Sequence, residues 1–237
     1  MSQFEAGYAR RLAPIWDEPG LKAIFELALV VPDNLDAVSN MPVASVAPVG
    51  ASMKRVTFQP SPKMSSYLMF IGVGEMDRIT TTAAGVEIGS VTRRGAAEQG
   101  RYALDALGQL LPFYNDYFGT AFPLPKLDQI AAPGAGTFGA MENWGAIFYF
   151  EPELLFDAKR ATVSNQQRIY TVVAHEMAHQ WFGDLVTMRW WDDLWLNEGF
   201  ASWMEGRATE HFHPEWNAAL VAVAGREYAM GLDALST

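Results

Sequence analysis

Two histidines and a glutamate stand close together in TVVAHEMAHQWFGD, residues 171–184. His175 and His179 are four residues apart, so on a helix they lie about one turn from each other on the same face and can point at a single ion. Glu176 directly follows the first histidine, which places it to the side of the pair. The pattern His-Glu-x-x-His predicts a zinc site with the glutamate as general base. Taken alone, it also fits a buried helix with two hydrogen-bonded histidines, or a chance match.

A third candidate ligand lies in WWDDLWLNEGFASWMEG, residues 190–206. Eighteen residues separate Glu198 from His179, a spacing that suits a helix, a turn and a returning helix. Two histidines and a glutamate form a known catalytic zinc ligand set that leaves one coordination position open. We therefore expect one Zn²⁺ bound by His175, His179 and Glu198. The sequence contains no cysteine, so thiolate ligands are excluded.

Polar residues near the motif could orient the imidazoles by hydrogen bonds, and the sequence does not choose among them. The candidates are Asp184, Asp192, Asp193 and Asn197.

Two helices must carry the predicted ligands. Ser164 followed by Gln167 matches a capping box and predicts a helix beginning there. A second helix is expected from about Asp193 to His211. The first helix should bury one apolar face, formed by Ile169, Val172, Val173, Met177 and Trp181.

In the rest of the chain, the sequence predicts β-strands first and a mixture of helices and strands later. Residues 20 to about 90 alternate in hydropathy between Pro, Gly, Asn and Asp turns, which predicts strands. A helix is expected from about residue 96, ended by Pro112 or Gly119, and strands in KLDQIAAP and GAIFYFEPELLF. The pattern predicts an α+β fold with a β-rich domain over 1–80 and a mixed domain over 81–237.

Composition narrows the classes of function. The formal net charge of −10 argues against nucleic-acid binding, which needs a basic face. No apolar run reaches the roughly 20 residues that span a bilayer. The N-terminal segment has no apolar core typical of a signal peptide, so a cytoplasmic location is the default expectation unless a leader preceded this stretch. The oligomeric state stays open.

Two motifs together carry a family resemblance. The segment HEMAHQWFGDLVTMRWWDDLWLNEGFASWMEG resembles the signature of the aminopeptidase N family of zinc metalloproteases (gluzincins). GAMENWG, residues 139–145, is similar to that family's exopeptidase motif. QFEAGYARRLAPIWDEP, AVSNMPV, YNDYFG and PLPKLDQIA extend the likeness over essentially the whole chain. The resemblance implies the C-terminal part of an all-β N-terminal domain, followed by a thermolysin-like zinc catalytic domain that ends before it is complete.

The same resemblance implies a zinc-dependent aminopeptidase that hydrolyses the N-terminal peptide bond of peptides with a free N-terminus. Glu176 would act as general base on a zinc-bound water, and Glu142 would bind the free α-amino group. Substrate would dock in an extended pose along Gly139, Ala140 and Met141. Without the zinc motif, residues 133–145 would read as a glycine-rich turn with Glu142 exposed.

Three departures from the family pattern leave alternatives open. One is that the helical C-terminal region enclosing the family's active site and the earliest strands of its β-domain have no counterpart in this sequence. The family's oxyanion-stabilising tyrosine lies farther downstream than Thr237, where this sequence ends. A zinc-binding and peptide-binding fragment without turnover is therefore an alternative, and an epoxide hydrolase-type relative is a more distant one. Phe138, beside the exopeptidase motif, is expected to narrow the pocket for the substrate's first side chain.

Overall fold

The structure, a computed structural model, describes residues 1–134 and 139–234. Phe138 lies outside the described residues. The N-terminal third begins with irregular chain and one turn of 3₁₀-helix, and it then forms two small antiparallel sheets. The first sheet has the order β1-β4-β3 and the second pairs β2 with β5. These strands are β1 (Ala28–Pro32), β2 (Asp36–Ser39), β3 (Val43–Val49), β4 (Met53–Phe58) and β5 (Ile71–Gly74).

A five-stranded mixed sheet lies beneath the predicted site. Its order is β6-β7-β8-β10-β9, with antiparallel pairs at both edges and parallel pairs in the middle. The central strand β8 is buried along its whole length, as expected for a strand covered on both faces. The strands are β6 (Met76–Ala83), β7 (Val86–Arg93), β8 (Lys126–Ala132), β9 (Ala140–Met141) and β10 (Ala146–Phe150).

Helices cover this sheet and meet above it. Helix α1 joins the parallel strands β7 and β8, and α3 packs against both α1 and α4. Leucines at helical spacing fill the interface between α1 and the sheet. The helices are α1 (Arg101–Phe118), α2 (Glu151–Leu154), α3 (Val163–His179), α4 (Trp195–Phe212) and α5 (Ala218–Ala234). Among the described residues, no helix has the length and hydropathy needed to cross a bilayer.

Helix α3 begins two residues earlier in the chain than the predicted capping box. Thr162 is the N-cap, and its hydroxyl accepts a hydrogen bond from the Asn165 backbone N–H at 3.2 Å. The Asn165 side chain accepts in return from the Thr162 N–H at 3.0 Å. The predicted pair Ser164 and Gln167 is therefore wrong, because Thr162 already holds the extended backbone that a cap requires.

The predicted α+β class is confirmed, and the element bounds refine the sequence interpretation. Helix α1 contains Pro112 and ends at Phe118, where Gly119 adopts a left-handed conformation with φ of 61°. GAIFYFEPELLF is a strand only as far as Phe150, because Glu151–Leu154 turns into helix α2. The predicted domain boundary at residue 80 falls inside β6, and it stays a prediction.

Candidate metal centre and amine-binding carboxylates

Helices α3 and α4 bring the three predicted metal ligands together. The Nε2 atoms of His175 and His179 are 3.0 Å apart. The Oε2 atom of Glu198 lies 3.2 Å from the first of these nitrogens and 3.6 Å from the second. Zinc with ligand bonds of about 2.1 Å in a tetrahedron has ligand-to-ligand edges of roughly 3.4 Å, so these separations fit a zinc ion.

Two oxygen atoms hold the imidazoles from behind. Glu205 Oε2 lies 2.8 Å from His175 Nδ1, and the Phe182 carbonyl lies 2.9 Å from His179 Nδ1. Each histidine therefore turns Nε2 towards the common centre. Sequence reasoning missed Glu205, although it follows Glu198 by seven residues, which is two helical turns and hence the same face. The Asn197 side chain donates a hydrogen bond to the Tyr67 hydroxyl. Asp184 is buried, and among the described residues its carboxylate hydrogen-bonds neither imidazole.

The carboxylates around this centre make its electrostatic potential strongly negative. Burial alone would lower the pKa of His175, but hydrogen bonds to Glu198 and Glu205 raise it to about 11. Burial also opposes charge on His179, and the nearby Glu142 and Glu198 outweigh it and raise that pKa to about 9. The two imidazoles in turn hold the pKa of Glu198 well below its usual range, against the effect of burial. The same field attracts a divalent cation in place of these protons.

Glu176 lies beside the metal centre with a free carboxylate oxygen. The side chain is buried, and its Oε2 has no hydrogen-bond partner in the part of the chain that the structure describes. Burial raises the pKa of Glu176 to about 7, above its ordinary value of 4.5. A carboxylate of that basicity is matched to accepting a proton near neutral pH.

A second cluster joins the first through Glu198. Glu5, Glu142 and Glu198 each offer a carboxylate oxygen, and these oxygens lie within 4.8 Å of one another. Glu142 is buried, and its Oε1 has no partner among the described residues. Burial, followed by the charge of Glu142, raises the pKa of Glu5 to about 9. The alternative interpretation, in which Glu142 is an exposed turn residue, does not fit this burial. Glu5 was missed, because a separation of 137 residues carries no local signal.

All these groups line one cavity of about 540 Å³. Gly139 and Ala140 also line it, and they belong to or adjoin β9, the edge strand of the five-stranded sheet. An edge strand leaves backbone groups available to an added strand. The predicted binding residue Met141 has its side chain buried in the core, so its backbone is the part that remains near the edge.

Two family models match the sequence of this chain. The family model described as Peptidase family M1 domain matches residues 102–237. The model described as Peptidase M1 N-terminal domain matches residues 1–68. The stretch between the two matches, residues 69–101, contains β5 to β7.

Similar proteins carry aminopeptidase names. The chain is 52% identical over 204 residues to Aminopeptidase N of Acetobacter pasteurianus, which covers 86% of this chain and 58% of that protein. It is 47% identical over 237 residues to Aminopeptidase M1-B of Oryza sativa subsp. japonica, covering all of this chain and 27% of the relative. Aminopeptidase N of Mus musculus is 45% identical, with all of this chain and 25% of the relative covered. The chain thus spans from about a quarter to little more than half the length of these relatives.

Proposed function

The chain belongs to peptidase family M1, and on this premise we propose that it takes part in zinc-dependent hydrolysis of the N-terminal peptide bond of peptides. The observation that carries the proposal is the convergence of two carboxylate clusters in one cavity. One cluster has the separations that suit zinc, and the other has the charge that suits an ammonium group.

We assign the metal to His175, His179 and Glu198. When bound there, zinc supplies Lewis-acid polarisation of the scissile carbonyl and acidifies water. Glu205 and the Phe182 carbonyl contact Nδ1 of the two histidines, which leaves both Nε2 atoms to bind the ion.

Glu176 is the general base in this proposal. Glu176 lines the shared cavity, its Oε2 has no hydrogen-bond partner among the described residues, and burial raises its pKa to about 7, a basicity suited to taking a proton from the attacking water. The acquired proton then passes to the departing amine nitrogen, which must leave as a neutral amine. Removal of a general base typically slows turnover by about 10²- to 10⁴-fold.

Glu142 and Glu5 bind the substrate's α-ammonium group. Burial and the nearby charge of Glu142 raise the pKa of Glu5, and a cation placed between the two groups, whose oxygens lie within 4.8 Å of each other, favours the ionised form of both. Charge-assisted hydrogen bonds to an ammonium are also among the stronger polar contacts. Substrate with a free N-terminus would lie along Gly139 and Ala140 as an added strand, with its ammonium at Glu142 and Glu5.

The test uses an L-leucyl-4-nitroanilide reporter and its N-acetylated form. We expect the zinc-loaded chain to cleave the free reporter, a chelator to stop it, and Glu176→Gln to lower kcat by about 10²- to 10⁴-fold while zinc content is kept. Glu142→Gln should reduce the preference for the free over the acetylated reporter. Glu98→Gln is the matched control, because the Glu98 side chain is 80% exposed and is not among the residues that line the cavity.

Two results would count against this proposal in different ways. Stoichiometric zinc with no cleavage of either reporter favours the fragment that binds zinc and peptide without turnover. Equal cleavage of free and acetylated reporters removes the assigned role of Glu142 and Glu5.

A further inference from the structure

The loop Glu142–Gly145, between β9 and β10, has its backbone bonded by side chains from three separate parts of the chain. The Asn40 amide donates to the Trp144 carbonyl at 2.9 Å. The Lys126 ammonium donates to the Gly145 carbonyl at 2.7 Å. The third side chain is Gln180, which bonds both ends of the loop.

Gln180 is fully buried and follows the predicted ligand His179 directly. Its Nε2 donates to the Glu142 carbonyl at 3.0 Å, and its Oε1 accepts from the Gly145 N–H at 3.1 Å. This pairing fixes the orientation of the amide, since a flipped amide would set N–H against N–H and oxygen against oxygen. One side chain at the end of the metal-bearing helix therefore bridges the four-residue loop.

From this geometry we propose that Gln180 is a positioning residue that sets the distance between the metal centre and the amine-binding carboxylate of Glu142. The inference rests on the proposed function. An α-amino acid has one carbon between its ammonium and its carbonyl, so the two binding points must keep a fixed spacing to engage both groups. Gln180 ties the backbone of Glu142 to the residue next to His179, which makes the two points move together.

The contacts around the loop explain why this link matters. Asn40 and Lys126 hold Trp144 and Gly145 from the side of the sheets, and neither belongs to the metal-bearing helix. Without Gln180, the buried Glu142 carbonyl would lose the hydrogen bond that Gln180 donates to it. The loop could then move away from α3. Binding of the metal itself should be unaffected, because Gln180 bonds none of the imidazoles or carboxylates of the metal centre.

The experiment compares two hydroxamates on the zinc-loaded chain. L-leucine hydroxamate offers both a metal-binding group and an ammonium, whereas 4-methylpentanoyl hydroxamate lacks only the ammonium. The ratio of their Kd values measures how well Glu142 is placed. Gln180→Met keeps the side-chain volume and removes both hydrogen bonds to the loop, together with the 3.4 Å hydrogen bond to the Glu176 carbonyl. We expect it to weaken L-leucine hydroxamate by about ten- to a hundredfold, the range for a misplaced charge-assisted hydrogen bond, and to leave the other compound within about twofold.

Two further variants complete the design. Gln167→Met is the matched control, since Gln167 lies half-buried on the same helix three turns earlier, and it should leave both Kd values unchanged. Gln180→Asn keeps an amide but is one methylene too short to bridge the loop, and it should shift the ratio in the same direction as Gln180→Met. Hydrogen exchange of the Gly145 amide, whose acceptor is Gln180, should accelerate in both Gln180 variants.

The outcomes separate the inference from the function beneath it. An unchanged ratio in both Gln180 variants overturns the positioning role, and so does an equal loss of affinity for both compounds, which would indicate damage to the metal centre. A wild-type chain that holds zinc but binds neither hydroxamate contradicts the proposed function itself.

Discussion

Removal of Glu205 should weaken zinc binding without removing a ligand. Glu205 Oε2 lies 2.8 Å from His175 Nδ1, and its side chain is 33% exposed. A charge-assisted hydrogen bond of this length contributes about 1.5–3 kcal/mol, and partial exposure moves the expectation to the lower end. Partners that orient metal-bound histidines typically change metal affinity by about 10–100-fold. We therefore expect Glu205→Ala to raise the zinc Kd by about 10–30-fold.

The assay is competition for zinc against a chromogenic chelator at neutral pH. Glu205→Gln keeps an acceptor oxygen without its charge, and it should lie between wild type and Glu205→Ala. Glu210→Ala is the control on the same helix, because Glu210 is 57% exposed and pairs with Arg207 at 2.8 Å. The reasoning is refuted if Glu205→Ala binds zinc within twofold of wild type while His179→Ala loses it.

Two stability predictions concern the support beneath the loop that carries Glu142. Gly145→Ala should cost about 2–4 kcal/mol in urea unfolding, because Gly145 has a φ of +75° and an added Cβ would lie 2.7 Å from both the Asn40 carbonyl oxygen and Leu124. Gly85→Ala has a similar φ of +80° in open space and should cost only about 1–2 kcal/mol, so equal losses would exclude crowding as the cause. Asp128→Asn should cost ~3–5 kcal/mol at neutral pH, because it leaves the buried Lys126 without its carboxylate at 2.9 Å.

The pH dependence of the Asp128 variant follows from its pKa. Burial alone would raise the pKa of Asp128, but Lys126 and Arg78 outweigh it and lower the pKa below 3.8. The stability from this ion pair is therefore complete above that ordinary value and is lost as the pH falls through the lower, folded-state pKa. The difference between wild type and Asp128→Asn should shrink below about pH 4, and a difference that grows on acidification would contradict this assignment.

Local sequence rules predicted that the side chains of His175, His179 and Glu198 converge, because these residues obey local geometry. His175 and His179 share a helix face by spacing alone, and Glu198 follows after a helix-turn-helix interval. The apolar face of α3 is also read correctly, since all five predicted residues are buried. The predicted start of that helix is two residues too late. Asn165, at the third helical position, forms the capping box with Thr162, a role that the sequence pattern assigned to Gln167 with Ser164.

The rest of the site could not be predicted, because tertiary packing creates it. Glu5 is the fifth residue of the chain. It reaches the cavity only because the N-terminal segment packs beside the candidate metal centre. Gln180 looks like any polar residue at a helix end until the Glu142–Gly145 loop is seen against it. Residues that act on neighbours by hydrogen bonds have no preferred spacing in sequence, whereas residues on one helix do.

The charge of the cavity explains why both clusters need cations at once. Five glutamates line it, together with His175, His179 and Arg168, and Arg168 pairs with Glu153 at 2.8 Å. The metal centre accounts for one divalent charge and leaves Glu5 and Glu142 facing each other. A substrate ammonium supplies the missing positive charge only when the N-terminus is free, because acetylation removes it. In the proposed function, selectivity for free N-termini therefore follows from the electrostatics of the cavity.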